Sequence, residues 1–222
     1  MRGTEQVERD PDQLLPEVAG LGRTDPPRDG QGARLRAARE AQRRSLADVA
    51  QAAALTKGYL SKVERGVATP SVASLLRICR ALGVTVGSLL ADGRTDDHQP
   101  VRAGAYPPIG FGGEGIVEHL LTPPLERRLQ VIHSVIEPGG GSGDERYSLP
   151  VEVEFVLVLR GQLALDVGDE VHVLDAGDAL TFPPDAPHAF RNPRARGDTE
   201  VLWALAPALP SDDPSVPPPI HG

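Results

Sequence analysis

The residues best suited to chemistry stand between positions 45 and 66. Lys57, Gly58, Tyr59, Ser61 and Lys62 put cationic, small and hydrogen-bonding groups on what a helix would turn outward, with Leu60 and Val63 as its inward face. Such a surface suits recognition of a polyanion, in which lysines neutralise phosphates and polar groups meet base edges.

The elements that must hold this face can be read next to it. Leu46, Val49, Ala50 and Ala53 recur on one side of a preceding helix, and Ser45 ahead of them is a good N-cap. Leu55 falls in the corner, Thr56 can cap the second helix, and Gly66 ends it. Two short helices joined by a tight turn, the second polar and basic outside, fit a DNA major groove.

Together with the continuation to residue 90, this stretch resembles the helix-turn-helix domain of the Cro/C1 repressor family, also called the XRE family. Arg39, Ser45, Ala50, Ser61, Glu64, Gly66, Pro70, Ser71, Leu75, Ile78, Ala81, Leu82, Gly83 and Leu89 match its pattern. The resemblance implies an all-α five-helix domain, a double-stranded DNA operator as partner, and an internal pair between Arg39 and Glu64. It also implies DNA contacts from Ser45, Thr56, Lys57, Gly58, Tyr59, Ser61, Lys62 and Arg65. The family often has a base-reading Gln where this chain has Leu46, so specificity is expected to rest on the second helix. It usually has Gly at the corner, where this chain has Ala54. Ala takes positive φ only at a cost, so a slightly altered turn is expected.

The net charge of −8 over 222 residues argues against nucleic acid if read alone. Between Ala33 and Leu90, however, ten cations face three anions, a local +7 that leaves −15 on the rest. A basic module on an acidic body suits phosphate binding by one part only. Arg77 and Arg80 read as solvated charges of a helix face. Cys79, the only cysteine, lies on the apolar stripe Leu75, Ile78, Cys79, Leu82 and reads as core, so no disulfide within the chain is possible and a reducing cytoplasm is expected. The charged, Pro-rich N-terminus does not read as a signal peptide, and no segment reads as a membrane span.

In chain order, residues 1–31 read as a disordered arm and 32–92 as the helical DNA-binding domain. Its helix 1 is expected from about Ala33 to Arg43, helix 4 over Ser71 to Leu82 and helix 5 over Val86 to Leu90. Residues 93–110 read as a linker, 111–208 as a second domain and 209–222 as a disordered Pro-rich tail. In the second domain the period falls to 2: 129–138, 152–161, 162–174 (a hairpin around Gly168-Asp169), 179–183 and 200–207 read as strands. Many short strands with Gly and Pro turns imply an all-β sandwich or barrel.

This second region resembles the cupin family, an all-β double-stranded β-helix or jelly-roll barrel. Gly177, Pro183, His188 and Asn192 keep most of its second motif, with Asp185 in place of a Gly. Of the first motif, Glu154 and Gly161 remain, and neither candidate pair of histidine positions holds His: Tyr147 with Leu149, or Ser148 with Pro150. In the family three His and one Glu hold a divalent metal, and two donors rarely suffice. His133 and His172 are possible substitutes, within strands. The expectation is therefore no metal and no cofactor. The barrel interior, with Tyr147, Glu154, Phe182, His188, Phe190 and Trp203, would bind a small-molecule effector.

The combined resemblance implies a bacterial transcriptional regulator that is not an enzyme. It would be a cytoplasmic homodimer on a near-palindromic operator, with no membrane partner. Two alternatives are a cupin-type metal-dependent oxygenase or epoxidase with an appended helix-turn-helix, and a regulator whose barrel only dimerises.

Overall fold

The computed structural model describes residues 28–84, 102, 106, 108–123 and 126–209. Helix 5 and most of the arm, the linker and the tail lie outside the described residues. Four helices come first: α1 (Arg28–Ala41), α2 (Leu46–Ala52), α3 (Lys57–Glu64) and α4 (Val72–Leu82). Their boundaries have local causes. Ser45 Oγ accepts the Asp48 N–H at 3.1 Å while Asp48 accepts the Ser45 N–H at 3.3 Å, a reciprocal cap that opens α2. Thr56 Oγ1 accepts the Tyr59 N–H to open α3, and Ser71 accepts the Ser74 N–H to open α4. Gly83, left-handed at φ +62°, closes α4. Leu35, Val49, Leu60, Leu75 and Ile78, all fully buried, form the core among the four.

Two expectations change here. Helix α1 begins five residues before Ala33 and stops at Ala41, because Arg43 turns left-handed at φ +53° and breaks the helical path. The α2–α3 corner has a left-handed residue despite the missing Gly: Ala54 itself takes φ +53°, at a conformational cost.

The second half is a nine-stranded antiparallel, barrel-like sheet: β1 (Pro108–Ile109), β2 (Glu114–Leu120), β3 (Gln130–Gly141), β4 (Val153–Arg160), β5 (Gln162–Val167), β6 (Glu170–Asp175), β7 (Ala179–Phe182), β8 (His188–Arg191) and β9 (Thr199–Ala206). The strand order is β6-β5-β8-β3-β9-β4-β7, with β2 also paired to β3 and β1 to β2. The hairpin between β5 and β6 turns at Gly168-Asp169, with Gly168 at φ +55°. Register sorts the faces. Ile132 lies opposite Trp203, Ser134 opposite Val201, Val156 opposite Trp203 and Glu154 opposite Phe182. Val201, Trp203 and Leu205 are buried while their neighbours along β9 are half-exposed, so this set faces inward. Strands β1, β2 and β8 are not among the expected ones, and β1 falls at the end of the stretch 93–110 read as a linker. The adjacent polar pair Glu118-His119 hides the alternation of β2, and β8 is a four-residue strand behind the turn-rich 183–187.

The halves meet backbone to backbone. The Gly113 N–H donates to Pro70 O at 2.8 Å, and the Val72 N–H donates to Ser142 O at 3.1 Å. The Gln31 amide reaches Gly110 O, and Arg77 pairs with Glu145. A Cβ on Gly112 would stand 3.0 Å from Val72 Cα, and one on Gly143 would stand 2.7 Å from Ser71 Cβ. Both positions thus need glycine for this approach. Arg77 is therefore no solvated charge: it also donates to Ala53 O at 3.0 Å and to Ser74 Oγ at 3.2 Å. Arg80 stays exposed.

Candidate nucleic-acid interface and barrel interior

Helix α3 turns Leu60 and Val63 into the core and leaves Lys57, Gly58, Lys62 and, just beyond its end, Arg65 exposed. Tyr59 and Ser61 are partly covered, and Ser45 and Thr56 lie exposed at the helix starts. The oxygens of Ser45 and Thr56 are used as caps, which leaves their hydroxyl hydrogens to donate outward. Arg65 bends back, its Nε donating to Ser61 O at 3.1 Å. Behind this face, Arg39 Nε and Nη2 donate to the two oxygens of Glu64 at 2.7 and 2.9 Å. Both side chains are largely buried, and Arg39 Nη1 also donates to Arg44 O. The guanidinium thus ties α1 to the end of α3 and to the α1–α2 connection, fixing the exposed helix from within.

Inside the barrel the register brings Tyr147, Glu154, Phe182, His188, Phe190 and Trp203 together, all buried. The rings of Tyr147 and Phe182 meet His188 edge-on, with centroids 4.2 and 5.1 Å away, and Phe190 lies 4.8 Å from Trp203. His188 Nδ1 faces Ala186 O at 2.8 Å; a carbonyl only accepts, so Nδ1 carries the proton. Burial lowers the pKa of His188 and the ring is neutral, so Nε2 presents a bare lone pair. Glu154 Oε2 stands 3.4 Å from it, and burial alone pushes that carboxyl up to about 8. Glu154 Oε2, His188 Nε2 and Trp203 Nε1 are buried without a hydrogen-bond partner among the described residues.

A second carboxyl, absent from the sequence reading, shares this interior. Glu118 lies opposite Ser134 on the inward face, accepts its hydroxyl at 3.2 Å and accepts the Phe111 N–H at 3.0 Å. Burial pushes it up to about 7, against the pull of those two hydrogen bonds. The only trace of it in the sequence is a carboxylate next to Val117 in a segment with no clean alternation.

The histidines considered as substitute ligands do not join Glu154 and His188. His133 lies opposite Leu202, on the face away from Ser134, with Nε2 3.7 Å from Glu200. His172, on β6, has Glu170 at 3.4 Å. Among the described residues no group of three or more His, Cys, Asp or Glu is arranged to hold a metal ion. The donor set around His188, one imidazole and one carboxylate closed in by aromatic rings, does not fit the family's metal.

Residues 32–92 match the family described as helix-turn-helix domain, and residues 132–205 match the cupin domain family. The HTH-type transcriptional regulator SutR of Escherichia coli K12 is 29% identical over 151 residues, covering 67% of this chain and 79% of that protein. The HTH-type transcriptional regulator PuuR of the same organism is 26% identical over 177 residues, covering 79% and 94%. Among solved structures, an HTH_3 family transcriptional regulator from Vibrio cholerae aligns with a TM-score of 0.54 at 19% identity, over 81% of this chain and 96% of that one, which shows the shared fold. With both domains matched in this order and relatives of this kind across most of its length, the chain belongs to the XRE-type helix-turn-helix transcriptional regulators that carry a C-terminal cupin domain.

Proposed function

We propose that this regulator works as a cytoplasmic homodimer on a near-palindromic operator, reading each half-site with α3 and sensing a small molecule in its barrel. What carries the first part is the exposed Lys57–Lys62 face of α3, braced from behind by the Arg39–Glu64 pair. A single such helix reads a short half-site; two set about 34 Å apart along a duplex give useful affinity. Among the described residues no helix is long and apolar enough to cross a membrane. The barrel performs no chemistry in this reading: the oxygenase alternative needs a metal, and the donor set does not fit one.

The test is a duplex selected from random-sequence DNA by the full chain. Lys57→Ala and Lys62→Ala should each weaken binding to it. A lysine that meets only phosphate should also lower the salt slope by about 1. Wild-type affinity in both variants overturns the assignment.

For the barrel, the unpartnered Glu154 Oε2, His188 Nε2 and Trp203 Nε1 support an effector site, since a ligand can supply the missing partners. The close rings around His188 favour a second reading, a barrel filled by its own side chains that serves only dimerisation. A thermal-shift screen against metabolites separates the two.

A further inference from the structure

The backbone-to-backbone contacts that seat the helical half on the barrel fall at the opening of α4, beside the side-chain contacts of Gln31 and Arg77. The Val72 N–H is one of the donors that a helix start leaves unpaired, and a barrel carbonyl, Ser142 O, satisfies it. The Gly113 N–H closes on Pro70 O two residues earlier. On the barrel side each contact leads straight into the interior. Ser142 and Phe190 are locked together: the Ser142 N–H donates to Phe190 O at 2.9 Å, and the Phe190 N–H donates to Ser142 Oγ at 3.0 Å. The Phe190 ring rests on Trp203. The strap 110–113 is held by Glu118, through the Phe111 N–H and the bracing hydroxyl of Ser134.

We propose that Glu118 and Ser142 are positioning residues that couple the barrel interior to the DNA-binding half, Glu118 by anchoring the 110–113 strap and Ser142 by holding the corner that receives the first amide of α4. A displacement of Phe190 or Glu118 then reaches Pro70 and Val72, the segment that joins α3 to α4, without passing through the linker. The consequence for regulation rests on the effector reading above, but the coupling does not.

Hydrogen exchange on the full chain tests it. Glu118→Ala should raise exchange about tenfold in segment 108–114 and also in 66–76, across the interface. Glu118→Gln, which keeps an acceptor for the Phe111 N–H, should restore protection in both. Loosening of 108–114 with 66–76 at its wild-type rate overturns the coupling, because a merely structural role stops at the barrel. If Glu118→Ala does not fold, Gly143→Ala probes from the other side. Its Cβ collides with Ser71 and should push the corner that carries Ser142, raising exchange in 66–76 and shifting the emission of Trp203, the only tryptophan in the chain. Unchanged emission overturns the proposal. Failure to select any duplex, with the exchange coupling intact, removes the regulator reading alone.

Discussion

Glu64 and Glu154 are both buried, at 8% and 2% exposure, in opposite circumstances. Glu64 closes a two-pronged pair with Arg39, so its charge is matched where it lies. Glu154 has an unpaired oxygen, a neutral imidazole at 3.4 Å and no cation against it among the described residues, and burial holds it protonated to about pH 8. The contrast runs through both halves. Among the described residues the helical half settles its buried polar side chains internally and turns Lys57 and Lys62 to solvent. The barrel half keeps unpaired polar atoms inside. A surface built to meet a large polyanion needs a rigid, satisfied support. On the effector reading proposed above, the unpaired atoms of the barrel are the ones a ligand would satisfy.

The largest effect that could break this comparison is expected at Arg39. Arg39→Ala strands the Glu64 carboxylate inside the helical core, and losing one partner of a buried pair costs about 3 kcal/mol. Chemical denaturation should show the helical half destabilised by that order. Glu154→Gln, which removes an unmatched acid, should leave the barrel as stable as before or more so. Equal losses in the two variants would erase the distinction.

pH sharpens the same contrast. The folded chain keeps protons on Glu118 to about pH 7 and on Glu154 to about pH 8, while the unfolded chain gives both up near the ordinary value of 4.5. Between those limits the folded state binds more protons than the unfolded one. The stabilisation present below pH 4.5 is therefore lost as pH rises, by about 1.4 kcal/mol per pH unit for each group still protonated only when folded. Burial lowers the pKa of His119 and of His188, and their titration opposes this loss below the ordinary histidine value of 6.5. The barrel's melting temperature should therefore fall from pH 6.5 to pH 8, and Glu154→Gln should flatten the upper part of that fall. A melting temperature rising between pH 6.5 and pH 8 would contradict the assignment.

How much of this was legible in the sequence follows from distance along the chain. The α2–α3 unit is made of neighbours: Ser45 with Asp48, Thr56 with Tyr59, Leu60 with Val63, all within one helical turn. The start of α1 was not legible, since residues 28–32 (RDGQG) carry no apolar period to extend the pattern. In the barrel, the strands with clean alternation can be read; Tyr147, Glu154 and His188 follow from the motif resemblance, and Phe182, Phe190 and Trp203 from the scarcity of aromatics in the chain. Glu118 could not be found, because its inward direction depends on pairing with Ser134, sixteen residues on, in a strand whose alternation is broken. Arg77 misled for the same reason: its partner Glu145 is sixty-eight residues away.

The smallest effect tests the DNA face through two glycines. Gly32 in α1 has a folding reason: a Cβ there would come within 2.3 Å of Val63 O, so α1 approaches the end of α3 only because that atom is missing. Gly58 in α3 has none. It is exposed, and a Cβ there would meet nothing within 4 Å. A helical Gly costs about 0.5–1 kcal/mol relative to Ala, so the fold alone favours Ala at this position. On the reading proposed above, Gly58 serves the close approach of a groove or its phosphates. Gly58→Ala should raise stability by about 0.5–1 kcal/mol in denaturant titration. The same variant should bind the selected duplex more weakly, the opposite of what a stabilised fold would give. If it binds as tightly as the wild type, α3 does not press Gly58 against DNA, and the groove-facing side of the helix must be reassigned around Lys62 and Arg65.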